Sequence, residues 1–148
     1  MMPKELQLDL KLLTVIFRSF ESIKDVLKDD VKRYDLNMTE FGTLEYLYHK
    51  GPSQINVIGD KVLLAKSSMS YVIEQLKQKG FIEWIKDDSD QRKRIVGLTK
   101  LGEETIKQAF EKHLEVIGKM FDVLTDEEKM NSIQNLKKIG YYAKELSQ

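Results

Sequence analysis

Apolar residues recur at three- and four-residue intervals over most of the chain, which is the period of an amphipathic helix. Leu6, Leu10, Leu13, Phe17, Phe20, Leu27, Val31 and Tyr34 trace one stripe and predict a long first helix. Asn37 or Thr39 can cap a second helix carrying Phe41, Leu44, Tyr46 and Leu47, which Gly51-Pro52 terminates. A short helix over about 54–61 turns Ile55, Ile58 and Val62 inward, and Gly59 permits close approach of its neighbour. The next helix, over 65–79, repeats the pattern with Met69, Val72, Ile73 and Leu76, and Gly80 can close it in a left-handed conformation. The period then changes. Phe81-Ile82-Glu83-Trp84-Ile85 and Ile95-Val96-Gly97-Leu98 are rich in β-branched and aromatic residues and read as two strands. Thr99 opens a long helix with Ile106, Phe110, Leu114, Ile117, Phe121 and Leu124 on one side. Thr125-Asp126-Glu127-Glu128 is a capping box, and the last helix after it turns Met130, Ile133, Leu136, Ile139 and Ala143 inward.

Between the strands lies Lys86-Asp87-Asp88-Ser89-Asp90-Gln91-Arg92-Lys93-Arg94, without one apolar residue. Such a loop cannot pack inward, so its charges face water or a partner. Two short helices meeting at a bend, followed by a basic-tipped hairpin, have the layout of a winged helix-turn-helix. The expected fold is mainly α with a small β-hairpin, flanked by long N- and C-terminal dimerisation helices. That layout sends one helix into a DNA major groove and the loop toward the neighbouring minor groove. The exposed side of the 65–79 helix carries Lys66, Ser67, Ser70, Tyr71 and Gln75, short polar groups that suit base edges.

Charge distribution sharpens this reading. Lys plus Arg equals Asp plus Glu at 24 each, so the formal net charge is zero. From residue 61 to 100, however, nine Lys/Arg face five Asp/Glu, a local excess of four on an otherwise acidic chain. That polarity orients the chain toward phosphate.

Gly51-Pro52-Ser53-Gln54-Ile55-Asn56-Val57-Ile58-Gly59-Asp60-Lys61, followed by the run from Ser67 to Ile82, resembles the MarR (multiple antibiotic resistance) family of transcription regulators. So does Asp90-Gln91-Arg92 followed by Leu98-Thr99-Lys100-Leu101-Gly102. The family wing reads Asp-Arg-Arg or Asp-x-Arg, then Leu-Thr-x-x-Gly. Gln91 departs from it, standing where arginine is commoner. The resemblance covers nearly the whole chain and rests on the order and spacing of motifs that are individually weak. It implies a homodimeric, ligand-responsive regulator, usually a repressor, on a palindromic operator in double-stranded DNA. At 148 residues the chain reads as one domain, with a DNA-binding lobe over about 37–100 and dimerisation helices over 1–36 and 101–148. The family effector sits between the dimer helices and the DNA lobe, where Phe17, Phe20, Phe41, Tyr46 and Trp84 are the candidate lining. Leu47-Tyr48-His49-Lys50-Gly51 and Val62-Leu63-Leu64-Ala65 resemble the branch of the family that answers phenols and quinones.

Each candidate has a plainer reading. Arg92 can enter the minor groove, held by Asp90, or form a solvated surface pair. Lys93, Arg94 and Lys66 are candidate phosphate contacts or solvent-facing cations. Ser67 and Ser68 can touch DNA or satisfy free N–H groups at a helix start. Tyr71 can read bases or pack on the wing, and each aromatic can be plain core.

Other functions find little footing. The chain has no cysteine, which excludes disulfides, thiolate zinc and thiol sensing. His49 and His113 have no second ligand at metal spacing, so no metal or cofactor is expected. No phosphate loop or nucleophile motif supports an enzyme. No apolar run approaches the ~20 residues of a membrane helix, and the start lacks a signal-peptide pattern, so the expected compartment is the cytoplasm. The alternative function is a winged-helix dimer that binds proteins without reading DNA. Such a wing should be apolar, and this one is basic.

Overall fold

The computed structural model describes residues 1–62, 68–86 and 94–148. Helix α1 (Lys4–Lys32) leads into α2 (Met38–Lys50), strand β1 (Ser53–Gln54), α3 (Ile55–Lys61), α4 (Met69–Gln78), β2 (Ile82–Ile85), β3 (Ile95–Leu98), α5 (Lys100–Phe121) and α6 (Asp126–Leu146). The residues form two units, Met1–His113 and Leu114–Gln148.

Local chemistry accounts for most element boundaries. Asn37 caps α2: its side chain accepts from Glu40 N–H at 2.8 Å and donates to Glu40 Oε1 at 2.7 Å. Asn37, not Thr39, is therefore the cap. Gly80 ends α4 at φ 78°, where a side chain is disfavoured, and Phe81 N–H returns to Leu76 C=O at 3.0 Å. Thr99 starts α5, its hydroxyl accepting from Gly102 N–H at 3.0 Å and donating to Gly80 C=O at 2.6 Å. The Thr125–Glu128 capping box is present in both directions.

In the first unit the core comprises Val31 of α1, Leu44 and Leu47 of α2, Ile58 of α3, Val72, Ile73 and Leu76 of α4, Val96 of β3 and Ile106 of α5, with their neighbours. Each such side chain contributes about 1.5–3 kcal/mol by leaving water. Their common core therefore fixes where α4 lies against α2 and α3. Gly59 lets α3 approach α4 closely, since a Cβ there would meet Met69 Cγ at 2.9 Å.

Three expectations need correction. The sheet has three antiparallel strands in the order β1-β3-β2, because Ser53 and Gln54 pair with Val96 and Ile95. Two residues carry no alternation pattern, so only pairing with a remote strand marks them. The described part of the reading helix starts at Met69 with Ser68 at the cap position, and residues 63–67 lie outside the described residues. The apolar stripe of α6 is not turned inward in the single chain: none of its residues is buried, and Met130, Ile133, Leu136 and Ile139 are all exposed. On α1, Val31 is buried, whereas Leu6, Leu10, Leu13, Phe17 and Phe20 are exposed. An amphipathic period reports that a face is apolar, not what covers it.

Candidate nucleic-acid interface and effector pocket

Helix α4 buries Val72, Ile73 and Leu76 and so must present the opposite side outward. Ser68, Ser70 and Tyr71 lie there, exposed, with Tyr71 64% accessible; Gln75 is half-buried. Ser68 occupies the cap position, but its side chain makes no capping hydrogen bond. The first turn therefore offers hydroxyls and a phenol to whatever approaches it. Lys66, Ser67, Asp90, Arg92 and Lys93 lie outside the described residues.

Arg94 is exposed and precedes β3 directly. Its guanidinium carbon lies 5.7 Å from the centre of the Trp84 ring, and Lys77 Nζ of α4 lies 5.3 Å from the same ring. Both distances fall within the range of cation–π attraction. Trp84 thus gathers one cation from α4 and one from the wing exit. Pattern reading placed Trp84 with the pocket aromatics. The signal that bears on its placement is chemical: a tryptophan on a strand that leads into a cationic loop. Arg94 also borders a polar recess with Asn56, Asp60 and Ser70, which joins α3, α4 and the wing exit.

A second concavity of about 640 Å³ lies among α1, α2, α3 and α5. Phe20 and Leu27 of α1, Phe41 and Tyr46 of α2, Val62 after α3 and His113 of α5 line it, with Glu45, His49, Lys50 and Lys61 as polar members. Of the five candidate aromatics, Phe20, Phe41 and Tyr46 come together here. Phe17 is exposed on α1, and Trp84 stands on β2 beside Lys77 and Arg94.

His113 is a structural histidine. It is buried, its Nδ1 lies 3.0 Å from Asp30 Oδ2, and its ring centre is 4.5 Å from that of Phe41. Asp30 is also buried and receives Arg33 at 2.6 Å. A contact across 83 positions leaves no trace in local pattern. His49 Nδ1 lies 2.9 Å from Glu45 C=O, and its ring meets Phe110 edge-on at 4.9 Å. Among the described residues, no group of three acidic or imidazole side chains is placed to hold a metal ion, and no helix is long and apolar enough to cross a membrane.

A three-stranded sheet packed on a helix pair, with the outward side of the second helix polar, defines a winged helix-turn-helix protein. The sequence pattern of the MarR family matches residues 36–93. The HTH-type transcriptional regulator MhqR of Bacillus subtilis is 37% identical over 136 residues, covering 92% of this chain and 94% of the relative. A MarR-like transcription regulator from Bacillus cereus superposes with a TM-score of 0.81 at 24% identity, covering 92% of this chain and 98% of the other. MepR of S. aureus, in its DNA complex, superposes with a TM-score of 0.76 at 22% identity, covering 87% and 96%. The chain belongs to the MarR family of DNA-binding transcription regulators, and it is not an enzyme.

Proposed function

We propose that this protein is a cytoplasmic repressor that binds an inverted-repeat operator as a homodimer and releases it when a small aromatic effector enters the α1–α2–α5 pocket. The observation that carries the DNA reading is the exposed polar start of α4, bordered by the two cations gathered on Trp84. Residues of about 37–100 form the reading lobe in this proposal, and residues 1–36 and 101–148 form the dimer. The exposed apolar stripes of α1 and α6 support the dimer, since apolar faces of that extent mark association surfaces. A twofold pair would set two α4 helices about 34 Å apart, one turn of DNA. Effector entry would change that spacing, and the fixed pitch of DNA would then oppose simultaneous contact. Ser67, Ser68, Ser70, Tyr71 and Gln75 are assigned to the major groove, and Lys66 to phosphate. Arg92, oriented by Asp90, is assigned to the minor groove, and Lys93 and Arg94 to phosphate. Phe20, Phe41 and Tyr46 are assigned to the effector.

Binding to the DNA upstream of its own gene is expected to weaken steeply with salt. Two protomers making several phosphate contacts each should give a log–log slope steeper than about −4. Anisotropy across a salt series measures it, and a slope near zero would remove the DNA-binding reading.

Arg92→Ala is expected to cost roughly 1–3 kcal/mol of binding per wing contact. Fold and oligomeric state, followed by circular dichroism and sedimentation, should not change. Asp90→Ala should lose less, in the same direction. Unchanged affinity in a folded Arg92→Ala protein would show that the wing arginine makes no useful contact.

A further inference from the structure

The C-terminal end of α4 is anchored by one side chain. Lys79, the residue after the helix, places Nζ 2.6 Å from Glu40 Oε2 and 2.5 Å from the Asp35 carbonyl oxygen. Asp35 stands at φ 58°, in the left-handed region that aspartate enters more readily than most residues. Glu40 is 5% exposed and sits in the first turn of α2. Its other oxygen receives the Asn37 amide, so both carboxylate oxygens are occupied. A carboxylate this buried is tolerated only when paired. The pairing spans 39 residues and connects the reading helix to the α1–α2 corner. Phe41, next in sequence to Glu40, lines the pocket, as do Met38 and Gly42 on the same turns of α2.

We propose that Lys79 is a positioning residue for DNA reading: its ion pair with Glu40 and its bond to Asp35 make α4 and the pocket-bearing helix α2 move as one body. Lys79 itself touches no base or phosphate in this arrangement, because its ammonium is committed to the corner. The role rests on the proposed reading of operator DNA through α4. It adds to that reading the element through which a displacement of α2 reaches α4. Thr99 holds the other side of the same end, through Gly80 C=O, so the C-terminal end of α4 is restrained from α2 and from the start of α5 together.

The test compares two duplexes, the promoter fragment upstream of the gene and a scrambled fragment of equal length and composition. Lys79→Met should raise the promoter Kd about tenfold, within the coupling range of contacting residues. It should leave the scrambled Kd within about twofold, because phosphate contacts are untouched. Lys79→Arg should restore most of the promoter affinity, since a guanidinium can also engage Glu40. Lys79→Met strands a buried carboxylate and can compromise folding, so Lys79→Met/Glu40→Gln, which removes both charges, is the companion variant. It should fold and show the same loss of promoter affinity as the single variant, because one strut is removed in both. Equal losses on both duplexes would make Lys79 a phosphate ligand and overturn the proposal. A folded double variant with wild-type promoter affinity would overturn it too. A wild-type protein that does not distinguish the two duplexes would instead refute the operator reading on which it rests.

Discussion

Cutting the chain after Thr125 is expected to abolish operator binding and to leave the protein monomeric or aggregated. The truncation removes all of α6, whose Met130, Ile133, Leu136 and Ile139 are between 43% and 55% exposed in the single chain. Leu6, Leu10 and Leu13 on α1 are about half exposed as well. In the proposed dimer these side chains leave water, at about 1.5–3 kcal/mol each when fully covered. Losing the α6 set should therefore cost several kcal/mol of association. Operator affinity should fall with it, because two linked reading helices share one loss of translational freedom and separate ones do not. Helices α1 to α4 and the part of α5 in the first unit keep their own buried core and should retain their secondary structure. Sedimentation velocity of the truncated chain, beside circular dichroism and a mobility shift, decides the matter. A folded, dimeric truncation with full affinity would place the interface on other elements.

Gly102→Ala is expected to destabilise the protein by about 3 kcal/mol or more, at the upper end of overpacking costs. A Cβ at Gly102 would lie 1.9 Å from the Phe81 carbonyl oxygen and 2.8 Å from its carbonyl carbon. Both are backbone atoms in a segment pinned by Thr99 N–H, which donates to that same carbonyl at 3.0 Å. Neither side can yield without breaking the start of α5. For a chain of this length the melting temperature should fall by roughly 6–12 °C. Gly118→Ala is the control: the added methyl meets open space in the single chain, and alanine favours a helix by up to about 1 kcal/mol. Thermal unfolding of the two variants should therefore move in opposite directions. A Gly102→Ala protein that melts with the wild type would show that the backbone contact is not as close as described.

Gly102 also shows what a sequence motif can and cannot say. Leu98, Thr99 and Gly102 are legible as a family pattern, but their reason is tertiary. Thr99 hydroxyl joins the end of α4 to the start of α5, and Gly102 is bare because the Phe81 backbone passes there. The motif marks a packing junction beside the wing.

Periodicity, caps and the absence of apolar residues in the 86–94 loop were enough to lay out every described element except β1, their order and the polar outer side of α4. Those signals are local: a hydrogen bond three residues away or a side-chain repeat along one helix is written in neighbouring positions. Asn37, Gly80 and the Thr125–Glu128 box are read directly because each acts on its own turn. What tertiary structure alone decided lies between distant positions. Strand β1 exists because Ser53 and Gln54 meet Val96 and Ile95. His113 joins Asp30, Lys79 joins Glu40, and Trp84 leaves the aromatic pocket set to collect Lys77 and Arg94. No period along the chain encodes which of several amphipathic faces will meet, because each face satisfies the same pattern. The choice is made by the packing of the common core, which brings charges and rings from separate elements within reach of one another.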